Sequence, residues 1–310
     1  MGWLTGTVRQ HFLSEVVALG KILIYLLVVL FLGCVLAPPI YWMLHQTVDF
    51  PFYRYFSRVI QVVAFVLLVP LLLWLGIRSA QEFGLERNPF AARDALAGFL
   101  FAFIPGAVFA GGYMIFDVYR IKQEVMPLLI LRIAMTAGFV AVVEEFLFRG
   151  VLLGLAVKAF GRWPASLGIS LVFAGIHFLR PGAEPISDVQ WWSGFAQIFR
   201  ILDSAPSLPF LVFGFISLVA AGLLLAWATL ATRSLWVPIG LHAGWIFCQQ
   251  GLQWLARYRI KPPDALMPWV GPNVVSGAVP TGLLPLGALL LTGMALWIYL
   301  RNASADARGS

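Results

Sequence analysis

Residues 59–77 read VIQVVAFVLLVPLLLWLGI, nineteen positions without a charged side chain. A bilayer's hydrocarbon core is crossed by about 20 predominantly apolar helical residues. The same signature recurs at roughly 20–43, 95–116, 127–157, 163–180, 208–231, 234–256 and 279–300, the fourth span being long and the fifth short. The sequence therefore predicts an all-α, polytopic membrane helix bundle of about eight transmembrane helices. No internal repeat interrupts that pattern.

Composition supports the same reading. Of the 310 residues, 61% are hydrophobic and 11% charged, with mean hydropathy +0.88. Ordinary soluble domains hold about 45–50% apolar and about 25% charged residues. Lipid absorbs such an excess and a soluble core does not. No stretch reads as a soluble domain, so residues 1–310 are expected to form a single integral membrane domain. The net charge of +7 suits membrane lipids with anionic head groups. It does not indicate nucleic acid, because the basic residues are scattered over many loops. Cys34 and Cys248 lie inside apolar runs and have neither disulfide nor metal-site spacing. Neither terminus carries a lipidation signal, and the first apolar run is long enough to remain as a span.

Orientation is not set by loop charge. With a cytoplasmic N-terminus the inner segments hold ten Lys/Arg and the outer ones nine, Arg180 and Lys261 among them. The positive-inside rule works by asymmetry, which is missing here. An even number of spans puts both termini on one side. One connection, 189–203, places Trp191, Trp192, Phe195, Ile198, Phe199 and Leu202 on a helical stripe too short to span. It is expected to be an interfacial amphipathic helix, either an anchor or a gate over a site.

Ionisable residues deep in a bilayer cost about 2.5–3.5 kcal/mol each on insertion scales and by default suggest function. The fourth span holds Arg132, Glu144, Glu145 and Arg149; the fifth holds His177 and the seventh His242. The other two histidines, His11 and His45, sit near span ends. From the helical rise, Glu145 and His177 lie about 20 Å into their spans and His242 about 13 Å, all from the same side. The register thus allows the set to meet near mid-membrane.

Local spacing assigns tasks. Glu145 and Arg149 are i, i+4 neighbours, and a buried carboxylate needs such a partner to stay ionised. Glu144 is turned about 100° away, without a local cation, as suits a general base. Phe173 and His177 are also i, i+4, so the ring can fix the imidazole. His242 follows Pro238 by four residues, which puts it near the start of its helix. Each of these also has a bland reading. Glu145–Arg149 can be a structural pair, the histidines can hydrogen-bond between helices, and Arg132 can be a counter-ion or a snorkelling residue.

At these residues the sequence resembles the CPBP family, the CAAX-protease and bacteriocin-processing intramembrane proteases, and within it the type II CAAX prenyl endopeptidases. The family pattern is Glu-Glu-x-x-x-Arg, then Phe-x-x-x-His, then His-x-x-x-Asn or Asp. Glu144-Glu145…Arg149 and Phe173…His177 match the first two elements, and His242, approached through Ser234-Leu235-Trp236-Val237-Pro238, matches the start of the third. The resemblance covers 127–256, a CPBP-like catalytic core, and leaves 1–126 as N-terminal accessory transmembrane helices.

The resemblance implies an intramembrane, glutamic-type endopeptidase. It would hydrolyse a peptide bond in a membrane-associated peptide or protein tail, in the plasma (inner) membrane of a prokaryote. Glu144 and His177 would activate water, His242 would stabilise the oxyanion, and Glu145 and Arg149 would hold the electrostatics. The family's Asn position is occupied by Ile246, which donates no hydrogen bond. Trp245 and Gln249 are the alternative oxyanion donors. No cofactor is expected. A catalytic zinc bound by two histidines and one or two carboxylates ranks lower, because no His-Glu-x-x-His pair is present. A different class also stays open: a catalytically impaired binding or immunity protein, or a proton-coupled transporter using the same cluster. The sequence names neither the substrate nor the oligomeric state.

Overall fold

Lipid offers no partner for backbone N–H and C=O groups, so an apolar chain closes them within helices. A computed structural model describes residues 2–79, 81, 87–123, 126–178, 186, 188–200, 208–259 and 284–309; side chains at 2–15, 209–211 and 303–309 are outside the description. Its elements are α1 (Gly2–Leu44), α2 (Phe52–Leu75), α3 (Ala91–Ile115), β1 (Tyr119–Ile121), α4 (Leu129–Glu145), a π-helical turn (Phe146–Leu152), α5 (Leu153–Phe160), α6 (Arg162–Phe178), α7 (Ser193–Phe199), α8 (Leu208–Thr232), α9 (Trp236–Leu255), β2 (Ala256–Tyr258) and α10 (Pro285–Gly309). Among the described residues the fold is all-α apart from one two-stranded ribbon.

Among the described residues four helices are long and apolar enough to cross a membrane: Val16–Leu44, Phe52–Leu75, Ala91–Ile115 and Val212–Thr232. Every one of the eight expected spans contains a helix, but length and hydropathy do not establish eight crossings. The expected fourth span is divided into α4, the π turn and α5. The fifth, α6, is only 17 residues long. α9 gives positions to His242, Gln249, Gln250 and Gln253, which lowers its hydropathy.

The helices form two compact units. The first comprises Met1–Glu82 and Phe178–Ala205. There α1 and α2 pack side by side through large side chains. Tyr41 meets Phe52 and Tyr55 edge-on at 5.7 and 5.2 Å. Tyr25 donates its hydroxyl to the Ala64 carbonyl at 2.7 Å. α7 also lies on α1, with Phe195 6.0 Å from Phe31. The expected amphipathic helix over 189–203 is thus a seven-residue helix. It turns Ser193, Gly194 and Gln197 inward and leaves Trp191, Trp192 and Phe199 exposed. Close approach explains the small inward residues, since a Cβ at residue 194 would collide with the Cys34 carbonyl. Leu202, Arg180 and Lys261 lie outside the described residues.

The second unit comprises Phe83–His177 and Pro206–Ser310. Its tightest seam joins α3 and α9. A Cβ at Gly240 would strike the Ala95 carbonyl, and one at Gly98 the Val237 carbonyl. Small residues at such a seam let two backbones touch, which is how membrane helices gain packing energy. α9 packs next on α4, and α10 on α3 and α8. Thr292 Oγ1 donates to the Phe101 carbonyl at 3.0 Å, locking α10 to α3. Leu153, Ala156, Ala165 and Ala226 form an apolar knot joining α5, α6 and α8. β1 and β2 pair antiparallel, Arg120 opposite Arg257, and tie the chain after α3 to the end of α9.

Candidate active site

The α3–α9 seam fixes the rotation of α9 and so presents His242 to α4. Glu145, the last residue of α4, is fully buried and accepts a hydrogen bond from Arg149 Nη1 at 3.0 Å. The same oxygen, Oε1, faces His242 Nδ1 at 2.6 Å. A carboxylate only accepts, so Nδ1 carries the proton and Nε2 points the other way. Nε2 lies 3.8 Å from Glu144 Oε2, beyond hydrogen-bond distance and within reach through one intervening molecule. The two adjacent glutamates differ sharply, since the Glu144 side chain is 32% exposed and that of Glu145 not at all.

Arg149 stands on the π turn. Residues Phe148–Leu152 are all buried, whereas an ordinary surface helix buries one stripe. A π turn wraps more residues per turn and often marks a functional site. The guanidinium sits 4.2 Å from the Phe173 ring centre and 5.7 Å from that of Phe148, which itself meets Phe173 edge-on. Phe173 is therefore a hub. His177 packs against the same ring at 4.4 Å and His242 at 5.8 Å. His177 Nδ1 donates to the Phe173 carbonyl at 2.7 Å, which fixes the orientation of the ring.

Trp245 follows His242 by three residues, so the two share a face of α9. It is buried, and its indole N–H has no hydrogen-bond partner among the described residues. The same holds for Glu144 Oε2, Glu145 Oε2, and Nε and Nη2 of Arg149. An unpaired buried polar atom costs about 1–3 kcal/mol, so its clustering at one place needs a reason. Ile246 is half-buried and offers only hydrocarbon. Gln249 is buried and hydrogen-bonded to Tyr119, the strand residue after α3. Arg132 is exposed on α4, about three turns before Glu144, and lies apart from the cluster. His45 stacks on Tyr41 in the first unit, and the His11 side chain is outside the description.

Sequence reasoning found the members but not all their partners. It left His242 without a local acid, and the structure supplies Glu145. It missed Phe148, the π turn and the glycine seam; Gly240-x-x-x-Gly244 was the legible signal for the last. Among the described residues no group of three or more His, Cys, Asp or Glu side chains is placed to hold a metal ion. The carboxylate nearest His242 already faces a guanidinium, which competes with any cation there.

No curated protein and no solved structure matches the chain. A family model does match, over residues 126–248, and its description is Type II CAAX prenyl endopeptidase Rce1-like. The matched segment runs from the start of α4 through most of α9. Residues 126–248, which hold every member of the Glu/His cluster, are thus similar to this family of CAAX-type endopeptidases.

Proposed function

We propose that the chain is an intramembrane endopeptidase of the glutamic type, cutting a peptide bond in a membrane-associated peptide or protein tail. The carrying observation is the polarity of the chain Arg149–Glu145–His242–Glu144, which is neutralised at one end and half-open at the other. Glu144 is the general base. It takes a proton from a water held between its Oε2 and His242 Nε2. The hydroxide attacks the scissile carbonyl, and Glu144 passes the proton to the leaving amine. His242 Nε2, without a proton in this tautomer, accepts the water's other hydrogen and so orients it toward the scissile carbonyl, while Glu145 fixes the tautomer by accepting from Nδ1. Trp245 supplies the indole N–H that Ile246 cannot, which fits an N–H buried without a partner. Preorganised donors of this kind are usually the largest catalytic contribution.

The reaction uses no cofactor in this reading. The remaining helices, α4 with α5, α6, α9 and α10, complete about eight crossings, and the host membrane is the plasma membrane of a prokaryote. The site belongs to a membrane-embedded core over 127–256, with membrane lipids and a tail-like substrate as partners.

The test is comparative peptidomics of membranes carrying wild-type chain or Glu144→Gln. Peptide termini present only with the wild type are expected, with cleavage lowered about 10²–10⁴-fold in the variant. Identical peptide profiles with a well-folded variant would overturn the assignment in favour of a binding or transport role. Stoichiometric zinc in active protein would overturn the metal-free chemistry.

A further inference from the structure

The second unit holds a cavity away from the Glu/His cluster. It is an apolar groove of about 1060 Å³ between α6, α8 and α10. Trp163, Trp227 and Trp297 line it, and among the described residues Arg162 is its only charged lining residue. Along α8 it runs from Ala220 to Ala231 and along α10 from Leu286 to Trp297. Eleven helical steps make about 16 Å. That is about half of the 30 Å hydrocarbon core, the depth of a single leaflet.

Among the described residues charge gathers at one end. Arg162 begins α6, and Arg301 lies over the Trp297 ring at 4.6 Å. Ala231 also borders a second, polar pocket of about 370 Å³ that contains Arg87 and Arg93. The one carboxylate in that pocket, Asp94, is taken up by Tyr299 at 2.5 Å, Asn88 at 2.7 Å and Arg93 at 3.1 Å. A long apolar slot one leaflet deep, with guanidinium groups gathered at its mouth, has the polarity of an anionic amphiphile.

We propose that this groove is a binding site for an anionic phospholipid, its acyl chain along α8 and α10 and its phosphate against Arg162 and Arg301. Basic residues near an anionic surface contribute about fivefold in affinity each. Aromatic side chains at the mouth suit the interface, where one end of the ring is apolar and the other wet. This site does not depend on the peptidase reading.

The test uses the full chain, delipidated in mild detergent and studied by native mass spectrometry. It is titrated with phosphatidylglycerol, with phosphatidylcholine of the same chains, and with inorganic phosphate. One tightly retained phosphatidylglycerol is expected, and the double variant Arg162→Gln with Arg301→Gln should bind it about 25-fold more weakly. Gly293 lines the groove, and the nearest atom to a Cβ there is the flexible tip of Leu224. Gly293→Leu is therefore expected to fill the slot and displace the chain at unchanged melting temperature. Equal affinity for both lipids, competition by phosphate alone, or a lipid-free dimer that Gly293→Leu dissociates would each overturn the proposal. If the arginine variants fail to fold, the lipid comparison and Gly293→Leu decide it, and undiminished binding by that variant would overturn it.

Discussion

The pairs α1–α2 and α3–α9 solve the same packing problem with opposite materials. α1 and α2 meet through tyrosine and phenylalanine rings, and among the described residues Gly33 faces a side chain, Ile60, and not backbone. α3 and α9 meet backbone to backbone at Gly98, Gly240 and Gly244. The difference falls where chemistry falls. A ring-on-ring interface adjusts by rotating side chains, whereas contact between backbones leaves no such freedom. α9 carries His242, Trp245 and Gln249, and its rotation about its own axis decides where those groups point. The rigid seam belongs to the helix whose facing has to be correct.

The sharpest way to break this contrast is to strip the buried charge that the seam positions. Arg149→Met leaves Glu145 and His242 facing each other in a dry interior, and removing one partner of a buried pair costs about 3–5 kcal/mol. Thermal unfolding in detergent is expected to fall steeply, and adding Glu145→Gln should restore part of the loss. Failure of that restoration would mean Arg149 acts by packing on Phe173 alone. A smaller effect, on rate rather than stability, is expected for Trp245→Phe. It keeps a ring and removes the donor, so cleavage should slow about 10²–10³-fold at unchanged melting temperature. An unaltered rate would remove Trp245 from the oxyanion site.

The seam itself comes next. Gly240→Ala pushes a methyl group into the Ala95 carbonyl and is expected to destabilise by about 1–3 kcal/mol. Gly33→Ala meets the Ile60 side chain and not backbone, so a change of rotamer can relieve it and its cost is expected to be smaller than that of Gly240→Ala. Equal melting shifts for the two would erase the distinction between the pairs. The smallest effect lies at the ribbon. Asp117 accepts from Arg120 at 2.7 Å and from Arg259 at 2.5 Å, and these partners, Arg120 foremost, hold its carboxyl below the usual carboxylate range. A depressed carboxyl contributes stability above its ordinary value and loses it as pH falls through the folded value. Protection factors at β1 and β2, which remove the intrinsic pH dependence of exchange, are therefore expected to be unchanged between pH 7 and 5, and lower in Asp117→Asn at pH 7.

What the chain discloses unaided is whatever depends on neighbours one or two helical turns apart. Glu145 with Arg149 and Phe173 with His177 are i, i+4 pairs, and both meet as their spacing requires. Burial of the Glu/His set inside apolar segments is equally legible, because ionisable residues are rare enough there to stand out. The membrane character followed from composition, while the number of crossings did not, since a π turn and a string of polar residues on α9 dilute the signal.

The tertiary structure alone decided which oxygen meets which nitrogen. Glu145 and His242 are 97 residues apart, and no local period relates them. Whether they touch depends on how far α9 rotates against α4, which is set by Gly240 and Gly244 pressing on α3 and Gly98 of α3 pressing on α9. It also decided that Gln249 turns to Tyr119 while the indole of Trp245 stays unpaired. Helical periodicity tells which residues share a face; only the contact of one backbone with another tells what that face looks at.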